Sequence, residues 1–191
     1  MANPGEVHMA ALKRLIRWVI ANSHYHRVYD FSKTPSKSGV YGYYDAAHAD
    51  DPDTLRSTMG YVFFYSGCAI SWSSKLHTFL TTSTNDSEYC AGAKYGKEAK
   101  WLHSMCKFIN GADMAIDMFS DSTGAIALCT NPVGRARHKH VDLADHYARE
   151  LFEAGIITIS FVPTEEMIAD TFTKALPEAK FKKFAKAIMG H

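Results

Sequence analysis

Asp45, Asp121 and Asp170 each stand where a carboxylate is costly to place. Asp45 lies inside the aromatic and small-residue run Val40-Tyr-Gly-Tyr-Tyr-Asp45-Ala-Ala. Asp121 ends the apolar run Met114-Ala-Ile-Asp-Met-Phe-Ser120, and Asp170 sits between Ile168 and Phe172. A carboxylate is expensive to bury unless it is paired or coordinates a cation. Glu88 opens a long helical stretch and shares its stripe with Ala91 and Tyr95, so it faces the same interior. Ligands in open α/β sheets gather beyond the carboxyl ends of strands, which is where Asp121 falls. Taken singly, each acid has an ordinary alternative as a helix cap, a turn residue or a salt-bridge partner. Asp121 can simply cap a helix starting at Ser122, and spacing alone does not choose.

The elements that must position these acids follow from periodicity. Asn3-Pro4-Gly5-Glu6 supplies an N-cap, a proline at the first helical position and a capping-box carboxylate. Met9, Leu12, Ile16 and Val19 then recur at helical spacing, with Lys13, Arg14 and Arg17 turned elsewhere. Ser32-Lys-Thr-Pro-Ser-Lys-Ser38 reads as a linker. It divides an N-terminal helical segment, 1–31, from a main domain, 39–191. Val40 to Ala46, Gly60 to Tyr65 and Ala69 to Trp72 read as strands, the last two joined by a hairpin at Ser66-Gly67. A helix is expected from about Asn85 to Ile109, then a strand from Met114 to Ser120 and a short helix from Ser122 to Cys129. A helix from His140 to Ala154 ends at Gly155, and Ile156 to Val162 alternates as a strand. Pro163-Thr164 opens a helix carrying Asp170, Pro177 breaks it, and Phe181, Phe184 and Ile188 mark a last amphipathic helix. The order predicts an α/β mixed sheet, an antiparallel meander at one end and helical crossovers feeding parallel strands.

Bulk properties narrow the class further. The 191 residues suit one core or one core plus an appendage. Lys plus Arg is 21 and Asp plus Glu is 20, so a basic surface must come from segregated charge. The densest basic stretch is Arg135-Ala-Arg137-His138-Lys139-His140. Cys68, Cys90, Cys106 and Cys129 form no C-x-x-C pair, so buried free thiols are expected and a zinc or redox motif is not. There is no secretory leader and no apolar run that would cross a bilayer. A soluble intracellular protein with no membrane partner is expected.

Several ordered motifs carry a resemblance. They are Gly42-Tyr-Tyr-Asp45-Ala, Arg56-Ser-Thr-Met-Gly-Tyr61, Ser71-Trp-Ser-Ser-Lys75 and Ser83-Thr-Asn-Asp-Ser-Glu-Tyr89. Ser120-Asp-Ser-Thr-Gly-Ala-Ile-Ala127, Asn131-Pro132, Lys139-His-Val-Asp-Leu143, Phe161-Val-Pro-Thr-Glu165 and Ala169-Asp-Thr-Phe-Thr-Lys-Ala-Leu176 follow. In this order they resemble the ribonuclease H domain at the C-terminal end of copia-type LTR retrotransposon polyproteins. The first helix then resembles the connection from the reverse transcriptase. The sequence departs from the family pattern at Ala47 and His48, where a second Asp and a Trp are usual. It also has no His between Val162 and Asp170, where cellular ribonucleases H carry one.

The resemblance implies a ribonuclease H-like fold with a five-stranded mixed sheet flanked by helices. It implies a catalytic and metal-binding set of Asp45, Glu88, Asp121 and Asp170, and leaves Asp142 outside it. Two Mg²⁺ ions roughly 4 Å apart would activate water and stabilise the leaving oxygen of a phosphodiester, with Mn²⁺ a possible substitute. The expected substrate is an RNA–DNA hybrid, cut in its RNA strand during reverse transcription. Arg135, Arg137, His138, Lys139, His140, Ser122 and Asn85 are the expected nucleic-acid contacts. The reverse transcriptase of the same polyprotein is the implied protein partner, and a cytoplasmic virus-like particle the implied location. The rival expectations are a decayed or domesticated copy that binds hybrids without cutting, and a domain that tethers reverse transcriptase to its template.

Overall fold

The computed structural model describes residues 4–30, 32, 39–111, 113–130 and 147–191. Five strands, β1 Val40–Ala47, β2 Thr58–Tyr65, β3 Cys68–Leu76, β4 Ile116–Ser120 and β5 Ile157–Phe161, form one sheet in the order β3-β2-β1-β4-β5. β1, β2 and β3 make an antiparallel meander, whereas β4 runs parallel to both β1 and β5. The expected hairpin is present. Ser66 and Gly67 have φ values of 50° and 73°, the paired positive angles of a tight turn that matches strand twist.

The strands alternate sides with period two, and this decides what covers them. On one face Tyr44, Met59, Phe63, Ile116, Met118 and Ile157 pack beneath helix α2, Thr84–Asn110. Two shorter helices, α3 Thr123–Thr130 and α4 Tyr147–Glu153, add Ala125, Cys129, Ala148 and Leu151 to the same core. α2 begins where Ser83 Oγ accepts the Asp86 N–H (3.1 Å) and ends at Gly111 in the left-handed region. The opposite face carries Val62, Phe64 and Ala69, with Tyr41 and Tyr43 beside them. It is covered by Ile168, Phe172 and Ile188 from the C-terminal segment.

That segment differs from expectation. Instead of one helix opened by Pro163-Thr164, it makes two 3₁₀ turns, Thr164–Glu166 and Ile168–Phe172, before helix α5, Glu178–Met189. Met167 separates them with ψ 89°, and its fully buried side chain packs with Val162 and Ala169. The burial of Met167 interrupts the helical path. Gly60 lets the second turn lie on the sheet: a Cβ there would stand 2.6 Å from Phe172 Cβ and 2.9 Å from Thr173 Cγ2.

The N-terminal helix α1, Glu6–Ala21, is present, but its cap is Gly5, whose N–H donates to His8 Nδ1 (2.9 Å). Asn3 lies outside the described residues, as does most of the expected linker. No residue of α1 is buried, although Trp18 meets Phe181 edge-on at 6.1 Å. Cys68, Cys90 and Cys129 are buried free thiols and Cys106 is half-buried. Among the described residues, no helix is long and apolar enough to cross a membrane. Gly60→Ala should force Phe172 and Thr173 away and cost about 1–3 kcal/mol, the range for overpacked sites, read from urea unfolding midpoints.

Candidate active site

Strand register brings the first two acids together. Tyr43 of β1 lies opposite Phe119 of β4 in the parallel pair. Two residues further along both strands stand Asp45 and Asp121, on the same side of the sheet. Glu88 joins them from the second turn of α2, where its Oε1 accepts the Ala46 N–H (3.1 Å). One carboxylate oxygen from each of Asp45, Glu88 and Asp121 lies within 4.8 Å of the others. Asp45 is 2% exposed and Glu88 3%. Glu88 Oε2 is buried with no hydrogen-bond partner. An all-oxygen anionic set with an orphaned buried acceptor fits a hard divalent cation.

The electrostatics agree with that fit. Burial pushes the Asp45 carboxyl above the ordinary range, opposed by the Thr173 hydrogen bond and Lys174 and reinforced by Asp170 and Asp121. Burial, followed by the Asp45 charge, drives Glu88 well above its ordinary value, partly offset by the Ala46 N–H. Without a cation these groups resist ionisation.

Asp170 is fully buried but lies outside the close triad, joined to Asp45 through the Lys174 ammonium. Its Oδ1 is 2.7 Å from Lys174 Nζ and its Oδ2 3.0 Å from Lys180 Nζ. Lys174 Nζ is also 3.7 Å from Asp45 Oδ2. Burial pulls the Lys174 ammonium down, but the Asp170 hydrogen bond and the charges of Asp45, Asp170 and Asp121 outweigh it and hold the group protonated.

The same C-terminal segment holds two of the other acids, Asp45 and Asp121. Thr173 Oγ1 donates to Asp45 Oδ2, and Thr164 Oγ1 donates to Asp121 Oδ2 (2.7 Å). Lys180 Nζ also donates to the Thr164 carbonyl (2.8 Å). Sequence reasoning did not single out Thr164, Thr173, Lys174 or Lys180. The available signal was their placement: Thr173 and Lys174 follow Asp170 by one helical turn inside the motif Ala169 to Leu176.

The acids open into a cleft of about 390 Å³ lined also by Thr84, Asn85, Ser122, Thr123 and Lys174. Ser122 rather than Asp121 caps α3, its Oγ accepting the Ala125 N–H (3.2 Å), which leaves Asp121 to the acidic cluster. Ser122 Oγ also lies 3.4 Å from Asn85 Oδ1. Gly124 permits this approach, since a Cβ there would fall 2.6 Å from Asn85 Oδ1. Arg135, Arg137, His138, Lys139, His140 and Asp142 lie outside the described residues.

The departures at Ala47 and His48 have a local explanation. His48 Nδ1 lies 2.8 Å from Ser87 Oγ and 3.2 Å from Thr81 Oγ1, and Ser57 Oγ is 2.9 Å from Thr81 Oγ1. These hydroxyls tie the end of β1 to the start of α2, one residue before Glu88.

The strand order, the mixed pairing and the acids at the ends of β1 and β4 together define a ribonuclease H-like domain. No protein-family model matches the chain. It is 34% identical over 190 residues to the retrovirus-related Pol polyprotein from transposon TNT 1-94 of Nicotiana tabacum, covering 100% of this chain and 14% of that protein. It is 32% identical over 192 residues to the Pol polyprotein from transposon RE1 of Arabidopsis thaliana, covering 98% of this chain and 13% of that protein. The chain is thus related to a part of plant copia-type retrotransposon Pol polyproteins, of whose length it spans 13–14%. RNase H1 from the halophilic archaeon Halobacterium salinarum NRC-1 superposes with a TM-score of 0.48 at 22% identity, over 70% of this chain and 93% of that one.

Raised carboxyl pKa values set the sign of the pH dependence. The folded chain keeps protons that the unfolded chain has already released, so stability is greatest below the ordinary carboxylate range. It is lost as pH rises through the raised values of Asp45 and Glu88. In EDTA the melting temperature should therefore fall as pH is raised from the ordinary carboxylate values, about 4, towards neutrality. Millimolar Mg²⁺ should restore it at the upper end. Glu88→Gln, which keeps an acceptor for Ala46 N–H, should flatten both responses in scanning calorimetry.

Proposed function

We propose that this domain hydrolyses the RNA strand of RNA–DNA hybrids, using Mg²⁺ held by Asp45, Glu88, Asp121 and Asp170. The observation that carries the reading is the convergence of Asp45, Glu88 and Asp121, one oxygen from each within 4.8 Å of the others, with Glu88 Oε2 buried and without a hydrogen-bond partner. Divalent cations bound there would supply an activated water and neutralise charge developing on the phosphorus and the leaving oxygen.

The chain's own residues do the positioning. The Ala46 N–H orients Glu88, Thr173 orients Asp45 and Thr164 orients Asp121, so three ligands arrive with their rotamers already restricted. Asn85 is exposed beside Ser122 at the cleft, and both can exchange hydrogen bonds with a ribose 2′-hydroxyl, which is what separates RNA from DNA. The basic stretch 135–140 would add phosphate contacts and make affinity fall with salt.

The alignment with a slice of the Pol polyproteins supports a role in reverse transcription beside the reverse transcriptase, and we propose a cytoplasmic particle as the place where that role is exercised. The intact acid set favours cleavage over the alternative of a decayed copy that only binds. With a labelled hybrid and Mg²⁺, Asp121→Asn should cut about 10²–10³-fold more slowly, the loss typical when one charge-stabilising group is removed. It should still bind the hybrid. Thr173→Val should lose about 10–100-fold, as for other groups that orient a metal ligand. Binding without cutting by the wild-type chain would favour the alternative.

A further inference from the structure

The two lysines on Asp170 are not equivalent. Lys180 is 17% exposed and its Nζ is anchored a second time on the Thr164 carbonyl (2.8 Å), so it is built into the segment. Lys174 is 43% exposed, lines the cleft and reaches across it to two acids, Asp170 Oδ1 at 2.7 Å and Asp45 Oδ2 at 3.7 Å. An ammonium in that position neutralises Asp170, which the close triad leaves over, and shares its charge with Asp45. It also repels any divalent ion approaching the same oxygens.

We propose that the Lys174 ammonium is a built-in cation seated between Asp45 and Asp170, so that the domain takes up two divalent ions in sequence. The first enters at Asp45, Glu88 and Asp121. The second reaches Asp45 and Asp170 only when the Lys174 head group swings out to solvent. The long aliphatic stem allows that movement without unfolding the 3₁₀ turn, because Lys180 still holds Asp170 Oδ2. A phosphodiester in the cleft is an anion to which the displaced ammonium can turn, so substrate binding and loading of the second ion favour each other. Lys174 is in these terms a positioning residue that acts through the acids. The inference rests on the metal-dependent reading of the site.

The test is isothermal titration calorimetry with Mg²⁺ on the metal-free full chain, without substrate. Wild type should bind one ion, with a second weaker by about tenfold or more, the scale of one unit charge at this range. Lys174→Met should bring the second binding event close to the first. Lys174→Arg should behave as wild type, since it keeps the charge, and Lys182→Met should also, since Lys182 pairs with exposed Glu178 and, among the described residues, with no carboxylate of the site. Circular dichroism melts check folding, and Lys174→Gln replaces the Met variant if that one is unfolded. An Mg²⁺ isotherm for Lys174→Met and Lys174→Gln that matches wild type overturns the inference and leaves the metal site standing. An Arg variant that behaves like the Met variant also overturns it, because charge would then not be the cause. Absence of binding in wild type, or equal binding by Asp121→Asn, overturns the metal-site reading itself.

Discussion

Four carboxylates gathered at one end of a sheet repel one another, and the surrounding architecture answers that repulsion. Oxygens within 4.8 Å imply at least about 3 kcal/mol per ionised pair at an effective dielectric near 20. Burial of Asp45, Glu88 and Asp170 adds desolvation to the same side. The fold offsets the strain with one backbone N–H, two threonine hydroxyls and two ammonium groups, each arriving from a defined element. Glu88 Oε2 and Asp170 Oδ1 are left without a hydrogen bond, Asp170 Oδ1 having only its ion pair with Lys174, and that deficit is what makes the site receptive to a cation.

Most of the compensation comes from residues 164–180. The parallel pair β1–β4 presents Asp45 and Asp121, and α2 adds Glu88 from the covered face. The C-terminal segment then closes over the other face and contacts three of the four acids. Its close approach depends on absent side-chain volume at Gly60, which is the β2 register partner of Asp45. A single glycine thus couples the antiparallel half of the sheet to the acidic site. The helix α1 stands outside this economy of contacts, with its apolar residues exposed and Trp18 resting on α5.

Strand alternation, the Ser66-Gly67 turn, the long helix and the choice of Glu88 over its neighbours were all legible from the chain. Period and turn chemistry are local properties, carried by residues a few positions apart. The path of the segment bearing Asp170 was not legible, because Pro163-Thr164 is a good helix start and only the burial of Met167 forces two 3₁₀ turns instead. Nor was the capping of α3 by Ser122 in place of Asp121, since both residues are competent caps and it is the Thr164 hydroxyl, 43 residues away, that engages the Asp121 carboxylate.

The residue types therefore pointed to carboxylates in apolar surroundings, and the resemblance carried by the ordered motifs implied that they form one set. Only the tertiary structure decided how that set is divided: three acids in close contact, and the fourth held by lysines from its own segment. Sequence separation conceals this, because the Thr173–Asp45 and Thr164–Asp121 contacts span 128 and 43 residues. Lys174 pairs with Asp170 four residues away, but whether it also meets Asp45 is settled by strand register and by a glycine across the sheet, and neither is a property of the residues near it in the chain.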